Sequence, residues 1–388
     1  MSGTRRRTSP PRAAVSAAAF MAVAAAAAVA AAGVAAALGA ERQAGAGVRL
    51  LWRTAVQAAG NAPSTTPATD GQRLFLVTST VAAYSLATGE PLWYSPLHRY
   101  VPRSLLASHG LVLVPEAVVA ALDAATGRPR WEFTPDANAS LGRAAADGQA
   151  VYFGTSSHRL YALRLGDGQR RWVTDLGPGW TQPAVVRGVA VADEQVYATV
   201  EEWRAPRGKT ASGWLIALSA RDGTVLWRYH TGDGAERRGL SSTPVITDSL
   251  VLAADNLGNA IVAVDRRSGR EVWRFAGKPG FPGFADGPIV DGQTVYGGSG
   301  DTVAYALALA TGRLLWERKL PGSIGAAALC GGRLLANYQG LAVLDRRSGA
   351  IAGLTHDGEA DFITSGFAID ADRAFVAGPR AIYAFSCR

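Results

Sequence analysis

Side chains able to carry nucleophilic, acid–base or metal chemistry are sparse in this sequence. The five histidines (His98, His109, His158, His230, His356) fall singly, and the two cysteines, Cys330 and Cys387, have no metal-ligand spacing. No Gly-x-Ser-x-Gly elbow occurs. The glycine-rich YGGSGD (Gly297, Gly298, Gly300) lies between two β-type runs. It therefore lacks the helix N-terminus that cradles a phosphate. The nearest approach to a cation site is Asp255, Asn256 and Asn259 in ADNLGN. A hard cation needs several converging oxygens, whereas the same residue types suit a polar hairpin turn. No catalytic residue, no metal and no cofactor are expected from these residues. Cys330 closes a predicted strand and Cys387 lies near the end of the last one. In an exported protein they could pair, provided their Cα atoms come within about 4.4–6.8 Å.

Composition narrows the classes. Of 388 residues, 48% are apolar and 18% charged, which excludes a disordered chain. The net charge of +8 is partly a terminal effect. Arg5, Arg6, Arg7 and Arg12 stand in residues 1–12 without an acid, and the remainder holds 35 basic against 31 acidic residues. No cluster of basic residues interleaved with stacking aromatics follows, so nucleic acid is not an expected partner. Residues 13–40 carry no charge and 18 of them are Ala. As a helix they would run about 42 Å, beyond the ~30 Å of a bilayer core. Length suits a membrane anchor, while the alanine-rich composition and the small residues Ala35 and Ala37 suit a cleaved export signal. In either case the arginines stay cytoplasmic and the bulk of the chain lies outside, membrane-held or secreted. Residues 41–47 read as a linker, and 48–388 as one domain.

That domain is periodic. Gly89, Gly127, Gly168, Gly223, Gly269, Gly312 and Gly349 each separate two apolar runs, at spacings of 38, 41, 55, 46, 43 and 37 residues. Six have Trp four positions later (Trp93, Trp131, Trp172, Trp227, Trp273, Trp316), and Gly349 has Gly353 there. Six have Ala six positions earlier (Ala83, Ala121, Ala162, Ala217, Ala263, Ala306). A period near 40 built of short β-type runs signals propeller blades. A turn cluster such as Asp70-Gly71, His109-Gly110 or Asp291-Gly292 precedes a β-rich run eight times. Such dipeptides suit tight hairpins whose two central residues need positive φ.

Eight first hairpins against seven Gly…Trp hairpins imply a split blade. The chain ends on AIYAFSCR, a third strand, and the domain begins with VRLLWRTAV, a Trp-bearing fourth. Trp52 then completes the last blade and closes the ring, which removes exposed strand edges. The expected fold is all-β: an eight-bladed propeller of four-stranded blades with strands A to D, about 43 residues per blade, preceded by one hydrophobic helix. Each Trp is expected to pack across a blade boundary, each worth roughly 3–5 kcal/mol by analogy with large-to-Ala substitutions.

The repeats ALDAATGRPRW (121–131) and AVDRRSGREVW (263–273) resemble the tryptophan-docking motif of pyrroloquinoline-quinone-type propellers, Ala-x-Asp-x-x-Thr/Ser-Gly-x-x-x-Trp. ALALATGRLLW (306–316) lacks only the Asp, and ALRLGDGQRRW and ALSARDGTVLW keep the Ala, Gly and Trp. The resemblance spans about residues 48–388. It implies the propeller fold, in a family that includes quinoprotein dehydrogenases, the propeller lipoprotein of outer-membrane protein assembly, and extracellular sensor propellers. The dehydrogenases resemble one another in an adjacent Cys-Cys disulfide beside the cofactor and in a Glu/Asn/Asp calcium set beside a catalytic Asp. Neither pattern is present in this sequence.

Irregular segments concentrate on the face carrying the B–C and D–A connections. They are EEWRAPRGKTASG (201–213), DLGPGWTQP (175–183), HTGDGAERRGL (230–240) and AGKPGFPGFAD (276–286). Trp180 and Trp203 lie outside the strand patterns, among Arg204, Arg207, Lys209, Arg237 and Arg238. Exposed aromatics with arginine resemble interface anchors. Three functions follow. The first is a non-catalytic interaction or scaffold module of the cell envelope, binding a protein or an acidic polymer through this sector. The second is a quinone-dependent extracytoplasmic oxidoreductase. The third is a sensor of a small ligand in the central channel.

Overall fold

The computed structural model describes residues 48–56, 66–77, 80–95, 104–115, 117–136, 142–177, 180, 184–204, 210–232, 239–281, 283–284, 286–338, 340–355, 366–378 and 380–388. The tail, hydrophobic segment and linker expected at 1–12, 13–40 and 41–47 lie outside these residues. The described residues form eight antiparallel sheets of four strands, an eight-bladed β-propeller. Blade 1 consists of Ala68–Thr69, Arg73–Val77, Val81–Ser85 and Pro91–Tyr94, as strands A to D. The next six blades span Leu106–Ser108 to Pro129–Phe133, Ala145–Ala146 to Arg170–Asp175, Ala184–Ala192 to Val225–His230, Val245–Ile246 to Glu271–Ala276, Ile289–Asp291 to Leu314–Lys319, and Ala326–Cys330 to Ile351–Thr355. Blade 8 joins Phe367–Asp370, Arg373–Ala377 and Ala381–Ser386 to the N-terminal strand Arg49–Ala55. The split blade expected from the sequence is thus present, with Trp52 opposite Ala384.

The apolar runs explain themselves by position in the blade. Strands B and C, such as RLFLV and VAAYS of blade 1, are buried along nearly their whole length. Both faces pack against neighbouring blades, so they carry no polar alternation. Strand D forms the rim and leaves side chains such as Leu92, Leu226 and Val272 exposed. Each core cluster therefore draws on two blades: Phe75, Val77 and Ala83 of blade 1 pack with Val112, Val114 and Leu122 of blade 2.

Seven indoles lock these boundaries. Each Trp Nε1 donates to a carbonyl of the next blade: Trp52 to Leu86, Trp93 to Ala124, Trp131 to Leu165, Trp172 to Ala220, Trp227 to Arg266, Trp273 to Leu309 and Trp316 to Arg346. The ring lies against the turn glycine of that blade. A Cβ at Gly168 would sit 2.5 Å from Trp131 Cε3, and its φ of +70° favours glycine independently. The motif Asp holds the same turn: Asp123 Oδ1 accepts from the backbone N and Oγ1 of Thr126, and Asp265 and Asp345 do the same with Ser268 and Ser348.

The A–B turns depart from the expectation of paired positive φ. Both central residues are positive only at His109-Gly110 and Asp193-Glu194. At Asp147-Gly148 neither is, because the Asp147 carboxylate caps the turn by accepting from the amides of Gln149 and Ala150. Gly297 and Gly298 of YGGSGD are packing sites: a Cβ at Gly298 would lie 2.3 Å from Ile324 Cγ2. Cys330 and Cys387 are joined by a disulfide, Cα–Cα 5.7 Å, linking blade 7 to blade 8.

Two expectations follow. Gly110, with φ +75° and nothing near its missing Cβ, should lose only about 1–2 kcal/mol on mutation to Ala, the cost of left-handed backbone. Gly168→Ala should lose at least twice as much, because it also displaces the indole; urea midpoints compare them. Hydrogen bonds from Thr126 hold the Asp123 carboxyl below the usual carboxylate range, and Ser268 and Ser348 do so for Asp265 and Asp345. A lowered folded pKa gives stability that is present above the unfolded value, near 3.9, and lost as pH falls through the folded one. Thermal midpoints should therefore decline in acid below about pH 4, and more steeply than in the Asp265→Asn variant.

Candidate partner-binding face

The face carrying the B–C and D–A connections differs most between blades at blades 3 to 5. Strands B and C of blade 4, Gln195–Arg204 and Thr210–Ser219, are ten residues each and pair from Gln195–Ser219 out to Arg204–Thr210. Their counterparts in blade 1 have five. The enlarged connection expected at 201–213 is thus mostly a continued hairpin. Trp203 belongs to strand B opposite Ala211 and is not a loop residue, as the sequence pattern had suggested. Arg207, Arg237 and Arg238 lie outside the described residues.

Two carboxylates brace the base of this arm. Buried Glu201 pairs with Arg187 of strand A, Nε–Oε2 2.6 Å. Buried Glu202 accepts from Trp214 Nε1 at 3.1 Å and Ser212 Oγ at 3.0 Å. The sector read as basic therefore has its acids turned inward. An adjacent Glu pair inside an apolar strand B was the signal in the sequence.

Trp180 is not a projecting anchor. It is half-buried, folded onto Gly177, where a Cβ would meet its Cδ2 at 2.1 Å. Its ring lies 5.3 Å from Trp214 and 6.0 Å from His158, and Trp214 stacks on His230 at 4.1 Å. This row crosses the blade 3–4 boundary. Asp175 holds its blade 3 end by bonding His158 Nδ1 at 2.9 Å and the Gly177 amide. Arg228 donates to the Leu176 carbonyl below the row, and burial lowers its pKa against the opposing pull of Asp175. The exposed aromatic on the neighbouring D–A segment is Phe281, 49% accessible. Trp214, His230, Glu201 and Glu202 were not singled out in the sequence.

At the axis, Arg143 before strand A of blade 3 forms an ion pair with Asp286 before strand A of blade 6. The Gly366 amide bonds Thr66 Oγ1 beside them, so groups from blades 1, 3, 6 and 8 meet at this mouth of the channel.

The geometry does not suit the quinone and calcium of the family's dehydrogenases. The two cysteines are 57 residues apart, in different blades. Asp255 Oδ1 is taken by the amides of Gly239 and Gly258, and Oδ2 faces Arg274 at 4.0 Å. Asn259 spends its side chain on Asp301, the Lys278 carbonyl and Ser299. Burial pushes Asp301 up, but bonds from Asn259, the Lys278 amide, Tyr305 and Val303 outweigh it and hold the carboxyl below its usual range. ADNLGN is a structural turn. Among the described residues, no three His, Cys, Asp or Glu side chains converge as a metal site.

The family model described as outer membrane protein assembly factor BamB matches residues 31–199, 116–262 and 257–362. BamB of Yersinia pestis is 27% identical over 239 residues, 56% of this chain and 56% of that protein, so the chain spans about half of it. In structure, BamB from Moraxella catarrhalis superposes with a TM-score of 0.66 at 16% identity, covering 87% of this chain and 97% of that one. The quinohemoprotein alcohol dehydrogenase ADHIIG from Pseudomonas putida HK5 gives 0.69 at 13% identity, covering 88% and 76%. At these identities the superpositions describe fold.

Glu201→Gln should leave Arg187 without its buried partner and cost about 3 kcal/mol. The measurement is the urea midpoint, with Arg170→Gln, which breaks an exposed pair to Asp136, changing it by under about 1 kcal/mol.

Proposed function

The chain belongs to the propeller family described as outer membrane protein assembly factor BamB, and from that premise we propose that it is a non-catalytic interaction module of the cell envelope. The propeller stands outside the cytoplasmic membrane, held there by residues 13–40 or released after their cleavage. Its partner is a protein presenting an acidic segment to the blade 3–5 sector. The observation that carries this reading is the ten-residue hairpin of blade 4. Two buried carboxylates, each committed to a partner, hold it beyond the length a blade needs. In the sequence, Trp203, Arg204, Arg207 and Lys209 fall in the stretch that ends strand B and leads to strand C, and Arg237 and Arg238 fall in the D–A segment that follows blade 4. Arginine and tryptophan are the residue types that anchor interfaces.

Against a quinone-dependent oxidoreductase stand Asp255 Oδ1, taken by two backbone amides, and Asn259, whose side chain is committed to Asp301, the Lys278 carbonyl and Ser299. Against a channel sensor stands the Arg143–Asp286 pair across the channel mouth.

Deleting residues 203–211 tests the site. The shortened full-length chain should keep its circular dichroism and thermal midpoint, and lose the partner that the immobilised parent captures from envelope extracts. Capture by the parent should weaken as salt rises, since exposed charges are screened beyond about 8–10 Å at physiological ionic strength. Unchanged capture by the deletion variant overturns the site.

A further inference from the structure

The repeat register assigns an equivalent to every residue, and it exposes one junction built differently. The strand C residue opposite each Trp is Ala83, Ala121, Ala162, Ala217, Ala263, Ala306 or, for Trp52, Ala384. In blade 7 the pair is Val343 and Gly353. The carbonyl that receives an indole always belongs to the residue three places after this strand C position: Leu86, Ala124, Leu165, Ala220, Arg266, Leu309 and Arg346. In blade 8 the corresponding residue is Cys387. Strand D of blade 7 offers it Gly353 instead of a Trp, so no indole is donated there. Blade 8 also has no C–D turn glycine for a ring to rest on, because its strand D is Arg49–Ala55 from the other end of the domain.

At this position the side chain makes the connection. Cys387 is bonded to Cys330, the last residue of strand A in blade 7. The same two positions at the preceding junction are Arg346 and Asp291, the last residue of strand A in blade 6, and they form an ion pair. The disulfide therefore occupies a latch position found elsewhere in the ring, in covalent form, at the junction that lacks an indole.

We propose that Cys330–Cys387 is a thiol-exchange site at which a dithiol reductant unlatches the ring between blades 7 and 8. One thiolate of the dithiol attacks a cysteine sulfur and expels the other cysteine as a thiol. The second thiol of the reductant then attacks the reductant sulfur in the mixed disulfide and releases the bound cysteine as the leaving group. The sum is one dithiol oxidised to a cyclic disulfide, and Cys330 and Cys387 left as two thiols carrying its two protons. Cys330 and Cys387 are 1% and 4% accessible, so the attack proceeds through opening of this junction and its rate reports that opening.

Hydrogen exchange of the full chain, with and without dithiothreitol under native conditions, tests this. Reduction should speed amide exchange by about tenfold or more in 49–55, 326–355 and 367–386, leaving blades 3 to 5 unchanged. Cys330→Ser/Cys387→Ser should show the opened pattern without reductant. Cys330→Asp/Cys387→Arg, which copies the Asp291–Arg346 latch, should regain protection at the junction and ignore dithiothreitol. Exchange unchanged by reduction, or accelerated evenly around the ring, overturns the proposal, and the parent protein alone suffices to show it.

Discussion

An indole resting on a bare glycine turn is the contact on which this ring depends. The contact does two things at once. The flat ring fills the space a Cβ would occupy over the next blade's C–D turn, and its Nε1 satisfies a carbonyl at that turn. Neither part works alone: a side chain on the turn would lift the ring, and a smaller residue on strand D would leave both a void and an unmet acceptor. Because the contact recurs seven times at fixed register, the angle between neighbouring blades is set the same way around most of the circle.

Closure follows from that repetition. The ring shuts by pairing Arg49–Ala55 with Ala381–Ser386, which leaves blade 8 without a covalent turn between strands C and D. Trp52 still docks forward on blade 1, at Leu86 and Gly89. The contact from blade 7 has nothing to dock on, and the sequence places Gly353 and the two cysteines there. A departure from the repeat and its compensation thus share one physical cause.

The blade 3–5 face shows the opposite logic. There the chain adds length to blade 4 and commits the buried Glu201 and Glu202 to holding it. Carboxylates buried for support are a cost that a bare scaffold would avoid; Glu202 bonds Trp214 in the aromatic row, whose other end is held by the exposed Asp175 through His158. In the ADNLGN turn, Asp255 Oδ1 is taken by two backbone amides and Asn259 by Asp301, the Lys278 carbonyl and Ser299.

The sequence by itself determined the class and number of blades. A Gly-to-Trp offset of four with an Ala six before it is a local geometric requirement, repeated often enough to be read without any contact. Trp52 and the terminal AIYAFSCR run determined closure for the same reason. Only tertiary structure decided where side chains at the face point. Trp180 and Trp203 look alike in sequence, yet one folds onto Gly177 and the other continues a strand, because Glu202, Ser212 and Trp214 extend the pairing of blade 4. The pairing of Cys330 with Cys387 was left to tertiary structure too. It turns on whether the end of strand A in blade 7 and the end of strand C in blade 8 meet at one latch position, which depends on how the two blades pack.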